Sequence, residues 1–227
     1  MSSPPPRVSA TADDELAAAI GGDRLLSLQH SKPEHRPALE ALWRVDAAMG
    51  DVVARATEPM LGRIKLAWRR EELEKLDHHP PPPEPRLRAV AASLLPLGIS
   101  GRDLAAIEPG WATLLDEPAD PQLIAERGRH LFWTATKITG QTDEKIEEAG
   151  AFWALASTAR RGLPTLLDPA REALAAIAAH RFPHGVRNVT LLARLAARDL
   201  GGPPFEPEAS PRRALAALAH RWSGRVA

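Results

Sequence analysis

Residues 38–76 read ALEALWRVDAAMGDVVARATEPMLGRIKLAWRREELEKL and contain two consecutive helical patterns. In the first pattern, Leu42, Met49 and Val53 recur at spacings of seven and four residues, which places them on one face of a helix. A break at Thr57 and Pro59 ends that helix. A second helix follows, and its apolar residues also keep helical spacing: Met60, Leu61, Ile64, Trp68 and Leu76. The pattern predicts a pair of long helices, the first of which faces a core.

Asp46 falls inside the apolar face of the first helix, so a carboxylate is expected among core residues. The opposite side of the helix carries four charged side chains: Glu40, Arg44, Asp51 and Arg55. This side is either an ordinary solvated face or the polar wall of an internal cavity. The pattern by itself leaves both interpretations open.

Helical patterns also occupy the rest of the chain. The further predicted helices cover residues 13–20, 86–95, 101–107, 121–138, 142–161, 169–179, 186–200 and 211–225. Residues 110–120 are predicted to form a loop anchored by Trp111, and the consecutive prolines at 80–83 form a stiff connector because they lack amide donors. Alternating strand patterns are missing, so the predicted class is all-α.

Composition narrows the classes of function. The chain has 227 residues, 44% of them hydrophobic, which is enough to bury one substantial core. We predict a flexible tail with a short helix over residues 1–23 and one helical domain over residues 24–227. The 29 basic and 29 acidic side chains cancel, which argues against nucleic-acid binding. Cysteine is absent, which excludes disulfides and thiolate catalysis. With neither an apolar signal core nor a membrane-length run, a cytoplasmic protein without a transmembrane segment is expected.

Two groups of residues have spacings that occur in metal sites. Asp143 and Glu144 each have a glutamate four residues later, which can offer two oxygen ligands to magnesium or simply form a solvated first helical turn. His180 and His184 have similar spacing, but Pro183 breaks the helix that would align them. Neither spacing is specific, and the sequence predicts no metal ligands.

Four stretches, taken in order, resemble the squalene/phytoene synthase family. They are EPMLGRIKLAWRREEL at 58–73, RGRHLFWTATKITG at 127–140, AGAFWALASTARRG at 149–162 and SPRRALAALAHRWSGR at 210–225. The resemblance extends from about Leu25 onward and implies a single-domain helical bundle of the isoprenoid synthase type. Active members of the family join two isoprenoid diphosphates head to head, using magnesium ions held by aspartates on two facing helices.

The chain departs from this family at the positions that carry the chemistry. The resemblance places the first acidic motif on Ala47, Ala48 and Asp51, of which only Asp51 is acidic. The second motif falls on three positions without a carboxylate: Ser157, Arg161 and Thr165. A guanidinium in place of a metal ligand reverses the local charge. The resemblance therefore implies a relative that has lost the ability to ionise diphosphates.

The expected function is that of a binding or assembly protein without prenyltransferase activity, because mitochondrial family members with degraded motifs act in respiratory complex I assembly. The expected partners are an isoprenoid or lipid ligand, or a protein partner in complex assembly, with peripheral membrane contact as a further option and no cofactor. The alternative is a magnesium-dependent isoprenoid-diphosphate transferase with an atypical site. Its candidate catalytic residues are Asp46 and Asp51, and its candidate diphosphate-binding residues are Arg44, Arg160 and Arg161.

Overall fold

The computed structural model describes residues 11–227, so the first ten residues of the predicted tail lie outside the described part. The α-helices are α1 (Ala12–Ile20), α2 (Gly22–Gln29), α3 (Arg36–Ala54), α4 (Pro59–Lys75), α5 (Pro85–Ser93), α6 (Gly101–Ala105), α7 (Glu108–Ala112), α8 (Pro121–Thr139), α9 (Ile146–Arg160), α10 (Leu167–Ala175), α11 (Arg187–Ala197) and α12 (Pro211–Ser223). Within residues 11–227 there is no β-sheet, and one isolated antiparallel bridge joins Arg181 and Arg225. The predicted all-α class is confirmed.

The helix pair of residues 38–76 is present as α3 and α4, and α3 lies in the middle of the core. Leu42 and Met49 on its predicted apolar face are each 1% exposed. These residues belong to one continuous cluster of buried side chains that extends from α1 to the last residues of the chain. The predicted core face of the first long helix is confirmed.

Helices α8 and α9 pack with their backbones in direct contact, because two glycines meet at their crossing. A Cβ atom built on Gly128 would lie 2.0 Å from the Gly150 carbonyl oxygen, and one on Gly150 would lie 2.2 Å from the Gly128 carbonyl oxygen. Neither distance leaves room for a side chain. The direct backbone contact fixes where the end of α9 lies relative to α3.

The N-terminal helices pack onto the bundle rather than standing apart from it. Thr11 caps α1, and Gly21 ends that helix with a φ of +96°, a conformation that favours glycine. Ile20 at the end of α1 is 1% exposed and belongs to the main core cluster. Residues 12–20 thus contribute to the core, while the predicted domain boundary at residue 23 stays a prediction.

Three local expectations were wrong. Helix α2 was not predicted, because Gly21 and Gly22 suggest a stop, yet Gly22 starts a new helix. The predicted loop at 110–120 overlaps α7, which tolerates Pro109 in its first turn. Helix α9 begins at Ile146 rather than at Thr142, since the Asp143 carboxylate accepts a hydrogen bond from the Lys145 amide in a turn. Asp143 and Glu144 consequently lie outside the helix.

The apolar residues of α4 are divided between two faces. Leu66 and Leu73 pack into the core with exposed fractions of 0% and 3%. Of the five side chains named in the sequence pattern, Leu76 is buried, but the other four point outward, with exposed fractions as follows: Met60 66%, Leu61 46%, Ile64 57% and Trp68 55%. We call these four residues the α4 stripe. Helical spacing identified apolar residues correctly but could not say which of the two faces is buried.

Among the helices of residues 11–227, none has by itself the length and apolar composition needed to cross a membrane. The segments Pro85–Leu97 and Gly101–Leu115 meet these criteria only when taken together, and a bend of 118° separates them.

Candidate functional site

Asp46 of α3 is the centre of a buried polar cluster. Its side chain is fully buried and forms an ion pair with Arg24 of α2. The indole Nε1 of Trp111, on α7, donates a hydrogen bond of 2.8 Å to Asp46 Oδ1. Three helices distant in sequence therefore meet at one carboxylate, and both of its oxygens have a partner.

Arg127 of α8 lies on the other side of Trp111. Its guanidinium carbon is 3.8 Å from the centre of the Trp111 ring, and its Nη2 donates a hydrogen bond of 3.1 Å to Thr158 Oγ1. The Arg127 side chain is 2% exposed, yet its Nε and Nη1 have no hydrogen-bond acceptor among the described residues. Buried donors of this kind are rare and suit an oxyanion or a water molecule. Gly110 makes the approach of α7 to α8 possible, because a Cβ there would lie 2.5 Å from the Cβ of Arg127.

Arg161, just after α9, covers the outer edge of this cluster. Its guanidinium carbon is 5.6 Å from the centre of the Trp111 ring, and the residue is exposed to solvent. Gly50 of α3 leaves the space, since a Cβ on Gly50 would lie 2.8 Å from the Trp111 indole and 3.2 Å from Arg161 Nη1. We call Arg24, Asp46, Trp111, Arg127 and Arg161 together the arginine cluster.

The arginine cluster has more positive than negative charge. The cluster itself contains three guanidinium groups and one carboxylate, and the carboxylates of Glu208 and Asp23 act on Arg24 from outside it. Burial lowers the pKa of Arg127 to about 10; Asp46 opposes this shift, and Arg161 and Arg24 add to it. Burial likewise lowers the pKa of Arg24, again against the effect of Asp46. The site therefore favours an anion over a cation.

Aromatic rings fill the interior next to the cluster. The rings of Trp43 and Trp153 have centres 5.9 Å apart, and Phe132 lies 5.5 Å from Trp153. The Arg24 guanidinium lies 5.7 Å from Trp43 and 5.2 Å from Trp153, a geometry that allows cation–π attraction. These three rings are buried as part of the core. The interior next to the arginine cluster is therefore filled with aromatic side chains.

Asp51 and Arg44, two of the candidate residues on α3, point away from the arginine cluster. Asp46 and Asp51 are five residues apart, which separates them by about 140° around a helix of 3.6 residues per turn. Asp51 is exposed and lies 3.8 Å from Arg55. Arg44 pairs with Glu40 at 2.7 Å and lines a shallow surface recess that also includes Asp51. The charged side of α3 is therefore an outer face of the molecule.

The two candidate arginines at the end of α9 diverge. Arg160 donates hydrogen bonds of 2.8 Å to Asp199 Oδ1 and of 2.5 Å to the Glu206 carbonyl oxygen, and thus ties α9 to the segment after α11. Arg161 joins the arginine cluster instead. Of the predicted site residues, the fold brings together Asp46 and Arg161, whereas Asp51, Arg44 and Arg160 lie elsewhere.

The described residues contain no group of three or more histidine, aspartate or glutamate side chains arranged for a metal ion. His180 and Asp143 form a pair at 2.8 Å, and His184 is not part of it. The donor set of the arginine cluster has a single carboxylate that is already neutralised by Arg24. Magnesium requires several oxygen ligands, so this set fits an anion and not a divalent cation.

Sequence reasoning missed Arg24 and Trp111 as partners of Asp46, and Arg127 as a neighbour of Trp111, because these residues come from different helices of the chain. One signal was present: Gly50 and Gly110 both lie inside helices, where glycine costs about 1 kcal/mol relative to alanine. A glycine in such a place often marks a close approach of another group. Each of these glycines leaves room for a member of the arginine cluster.

A second feature lies on the outside of the bundle, between α3, α4 and α5. Its floor is apolar, with Val45, Met49 and Leu87 among the lining residues, and Trp68 connects it to the α4 stripe. Four charged side chains also line it: Arg69, Glu72, Glu84 and Arg86. We call this feature the α4 groove; its volume is about 110 Å³.

Comparison of the chain with protein-family models, curated proteins and solved structures gave no significant match.

Proposed function

We propose that this chain is a helical protein of the squalene/phytoene synthase type that has lost head-to-head prenyltransferase activity and works by binding a protein partner. The observation that carries the proposal is the arginine cluster, in which the one buried carboxylate of α3 is neutralised by Arg24 and surrounded by further guanidinium groups. The partner is expected to bind at the α4 groove and the α4 stripe.

The loss of activity follows from charge. Ionising an isoprenoid diphosphate with magnesium needs carboxylates from two facing helices, each ion being held by one or two of them together with substrate phosphates. The arginine cluster offers one paired carboxylate, and Arg161 stands at a position where the family resemblance expects an acidic group. Asp51, the remaining carboxylate of the first motif, faces solvent beside Arg55. A surplus of positive charge would repel the metal.

The binding role follows from the surface of α4. The α4 stripe exposes four large apolar side chains next to one another. Single exposed apolar residues are common on protein surfaces, whereas a contiguous apolar patch indicates an interaction site. The groove beside it has an apolar floor and a rim with two cations and two anions. A rim with both signs of charge fits the polar rim of a protein interface, whereas an anionic membrane surface would favour cations alone.

The dimensions of the α4 groove suggest how the partner binds. Its volume of about 110 Å³ is comparable to a cavity of about 150 Å³ that accepts benzene, so it has room for one apolar side chain. The α4 stripe beside the groove is long enough to contact further residues of the same partner segment. An amphipathic helix of the partner, with one side chain inserted in the groove, matches both features.

The first experiment tests the loss of activity. Purified protein should form no coupled product from farnesyl or geranylgeranyl diphosphate with magnesium in excess. Product formation that depends on magnesium and disappears in Asp51→Ala would restore the transferase alternative.

The second experiment tests the surface with matched variants. Ile64→Asp places a charge in the α4 stripe, and Leu218→Asp places the same charge on an exposed leucine of α12. A partner recovered with the wild type and then purified should bind Leu218→Asp normally and bind Ile64→Asp at least about tenfold more weakly. Equal binding to both variants would contradict the proposed surface. Binding to lipid vesicles that Ile64→Asp abolishes would replace the protein partner by a membrane surface.

A further inference from the structure

A cleft with a volume of about 440 Å³ lies between the end of α2, the segment before α3, the end of α8 and the start of α11. Six basic side chains line it: His30, Lys32, His35, His184, Arg187 and Arg221. No aspartate or glutamate is among its lining residues. Asp46 lies about 15 Å along α3 from the first residue of that helix, so this cleft and the arginine cluster are separate sites.

The charge in the cleft is not neutralised by its surroundings. Arg187 donates hydrogen bonds of 2.9 Å to the Phe182 carbonyl and 2.7 Å to the Arg221 carbonyl, both uncharged acceptors. Among the described residues, no carboxylate lies within ion-pair distance of Arg187 or Arg221. Lys32 has Glu34 at 4.0 Å, and both of these side chains are largely exposed. The backbone carbonyls thus fix the position of a guanidinium without cancelling its charge.

Polar contacts hold the lining residues in place. His30 donates from Nδ1 to the Leu26 carbonyl oxygen at 2.8 Å, which fixes the imidazole ring at the wall of the cleft. Asn188 in the first turn of α11 donates to Ser31 Oγ at 2.9 Å, which joins the two walls of the cleft. The start of α11 also contributes the positive end of a helix dipole. The cleft is therefore held in one shape by contacts between its own walls.

We propose that this basic cleft binds a phosphate group, either of a free phosphorylated compound or of a lipid headgroup. Three cationic side chains, Lys32, Arg187 and Arg221, line this space, and a phosphate dianion accepts charge-assisted hydrogen bonds from guanidinium and ammonium groups together. The adjacent surface fits the lipid source, because Trp222 follows Arg221 directly and is 81% exposed. The site is independent of the α4 surface.

The experiment measures binding of inorganic phosphate by calorimetry at constant ionic strength, using the full chain. The Lys32→Ala, Arg221→Ala double variant should bind phosphate at least about tenfold more weakly, since it loses two charge-assisted contacts. The matched control is Arg88→Ala with Arg212→Ala, which removes the same charge from exposed residues outside the cleft. Both substituted pairs avoid Arg187, because its guanidinium holds the backbone carbonyls in the last turn of α12.

Each outcome decides the proposal. Absence of phosphate binding to the wild type, or an equal loss in both double variants, would overturn it. The source is then distinguished with phosphatidylcholine vesicles that contain or lack phosphatidylglycerol. Binding to anionic vesicles that Trp222→Ala weakens, while phosphate binding is unchanged, identifies a lipid headgroup. Phosphate binding without vesicle binding identifies a free phosphorylated compound.

Discussion

Asp46 and Asp51 lie five positions apart on α3 and have opposite environments. Asp46 is fully buried between Arg24 and Trp111, whereas Asp51 faces solvent near Arg55. The same side chain is thus part of the core at one position and part of a solvated surface at the other. We therefore expect the Asp46 carboxylate to contribute more to the stability of the fold than the Asp51 carboxylate does.

Asp46→Asn should lower the free energy of unfolding by about 3 to 5 kcal/mol, because it leaves the buried Arg24 charge without a partner. Asp51→Asn is the control and should change it by no more than about 0.5 kcal/mol, since exposed ion pairs contribute little. Urea unfolding of both variants measures the difference. Replacing Arg24 and Asp46 together by methionine and leucine should recover a large part of the loss. A cost for Asp51→Asn equal to that for Asp46→Asn would contradict this assignment.

His220 of α12 is a buried histidine that the fold keeps neutral. Its Nδ1 donates to the Arg225 carbonyl at 3.0 Å, and its Nε2 accepts from the Thr190 hydroxyl at 2.9 Å. Burial, with Arg187, Arg194 and His30 adding to its effect, lowers the pKa of His220 to about 4. Because the folded pKa lies below the unfolded value of about 6.5, the unfolded state binds the proton more strongly between these values.

The stability contributed by neutral His220 should be complete above about pH 6.5 and should be lost progressively toward pH 4, by about 3 kcal/mol in total. His220→Gln should therefore show a smaller decrease in stability over this range than the wild type does. His79→Gln is the control, since His79 is exposed. Denaturant unfolding at a series of pH values measures both slopes. Identical slopes for the wild type and His220→Gln would show that another group causes the acid sensitivity.

At the level of helices, the backbone contact between α8 and α9 allows a direct test of how tightly two helices are packed. Gly150→Ala should destabilise the protein by about 1 to 3 kcal/mol or more, because the added methyl group would meet the Gly128 backbone and force the helices apart. Gly201→Ala is the matched control, since a Cβ on Gly201 has no atom within 4 Å. Thermal unfolding followed by circular dichroism measures the difference. A neutral Gly150→Ala would mean that the helix pair can separate without cost.

Helix α4 shows why apolar spacing alone does not identify a core face. Its interior contacts are made by Leu66 and Leu73, while the α4 stripe is exposed. Both sets keep helical spacing, because a helix that is apolar on two sides satisfies the same pattern twice. Only the positions of α3, α6 and α7 around α4 decide which set is buried.

For the whole molecule, one continuous core cluster joins helices from α1 to the end of the chain. Unfolding in urea should therefore give coincident transitions by far-ultraviolet circular dichroism and by tryptophan fluorescence. Trp43, Trp111 and Trp153 report on the centre of this core. Two separated transitions would indicate two independently folding units and would contradict a single helical domain.

The sequence by itself determined the helical class, the positions of α3 and α4, and the burial of Leu42 and Met49. Each of these depends on local information: helical periodicity, prolines that interrupt helices, and the missing strand alternation. Local signals missed α2 and α7, because a glycine or proline that ends one helix can also begin the next, and they misplaced the start of α9, because Asp143 forms a turn before it. The family resemblance and the function it implies stay predictions.

Only the tertiary structure decided what surrounds Asp46 and which face of α4 is exposed. Arg24 and Trp111 reach Asp46 from two other helices and Arg127 packs on Trp111 from a third, and no periodicity within one helix encodes contacts between helices distant in sequence. The basic cleft likewise collects basic residues and their neighbours from five segments, although the charges of the whole chain cancel. Net charge is a sum over all residues, whereas binding depends on the charges that folding places at one site.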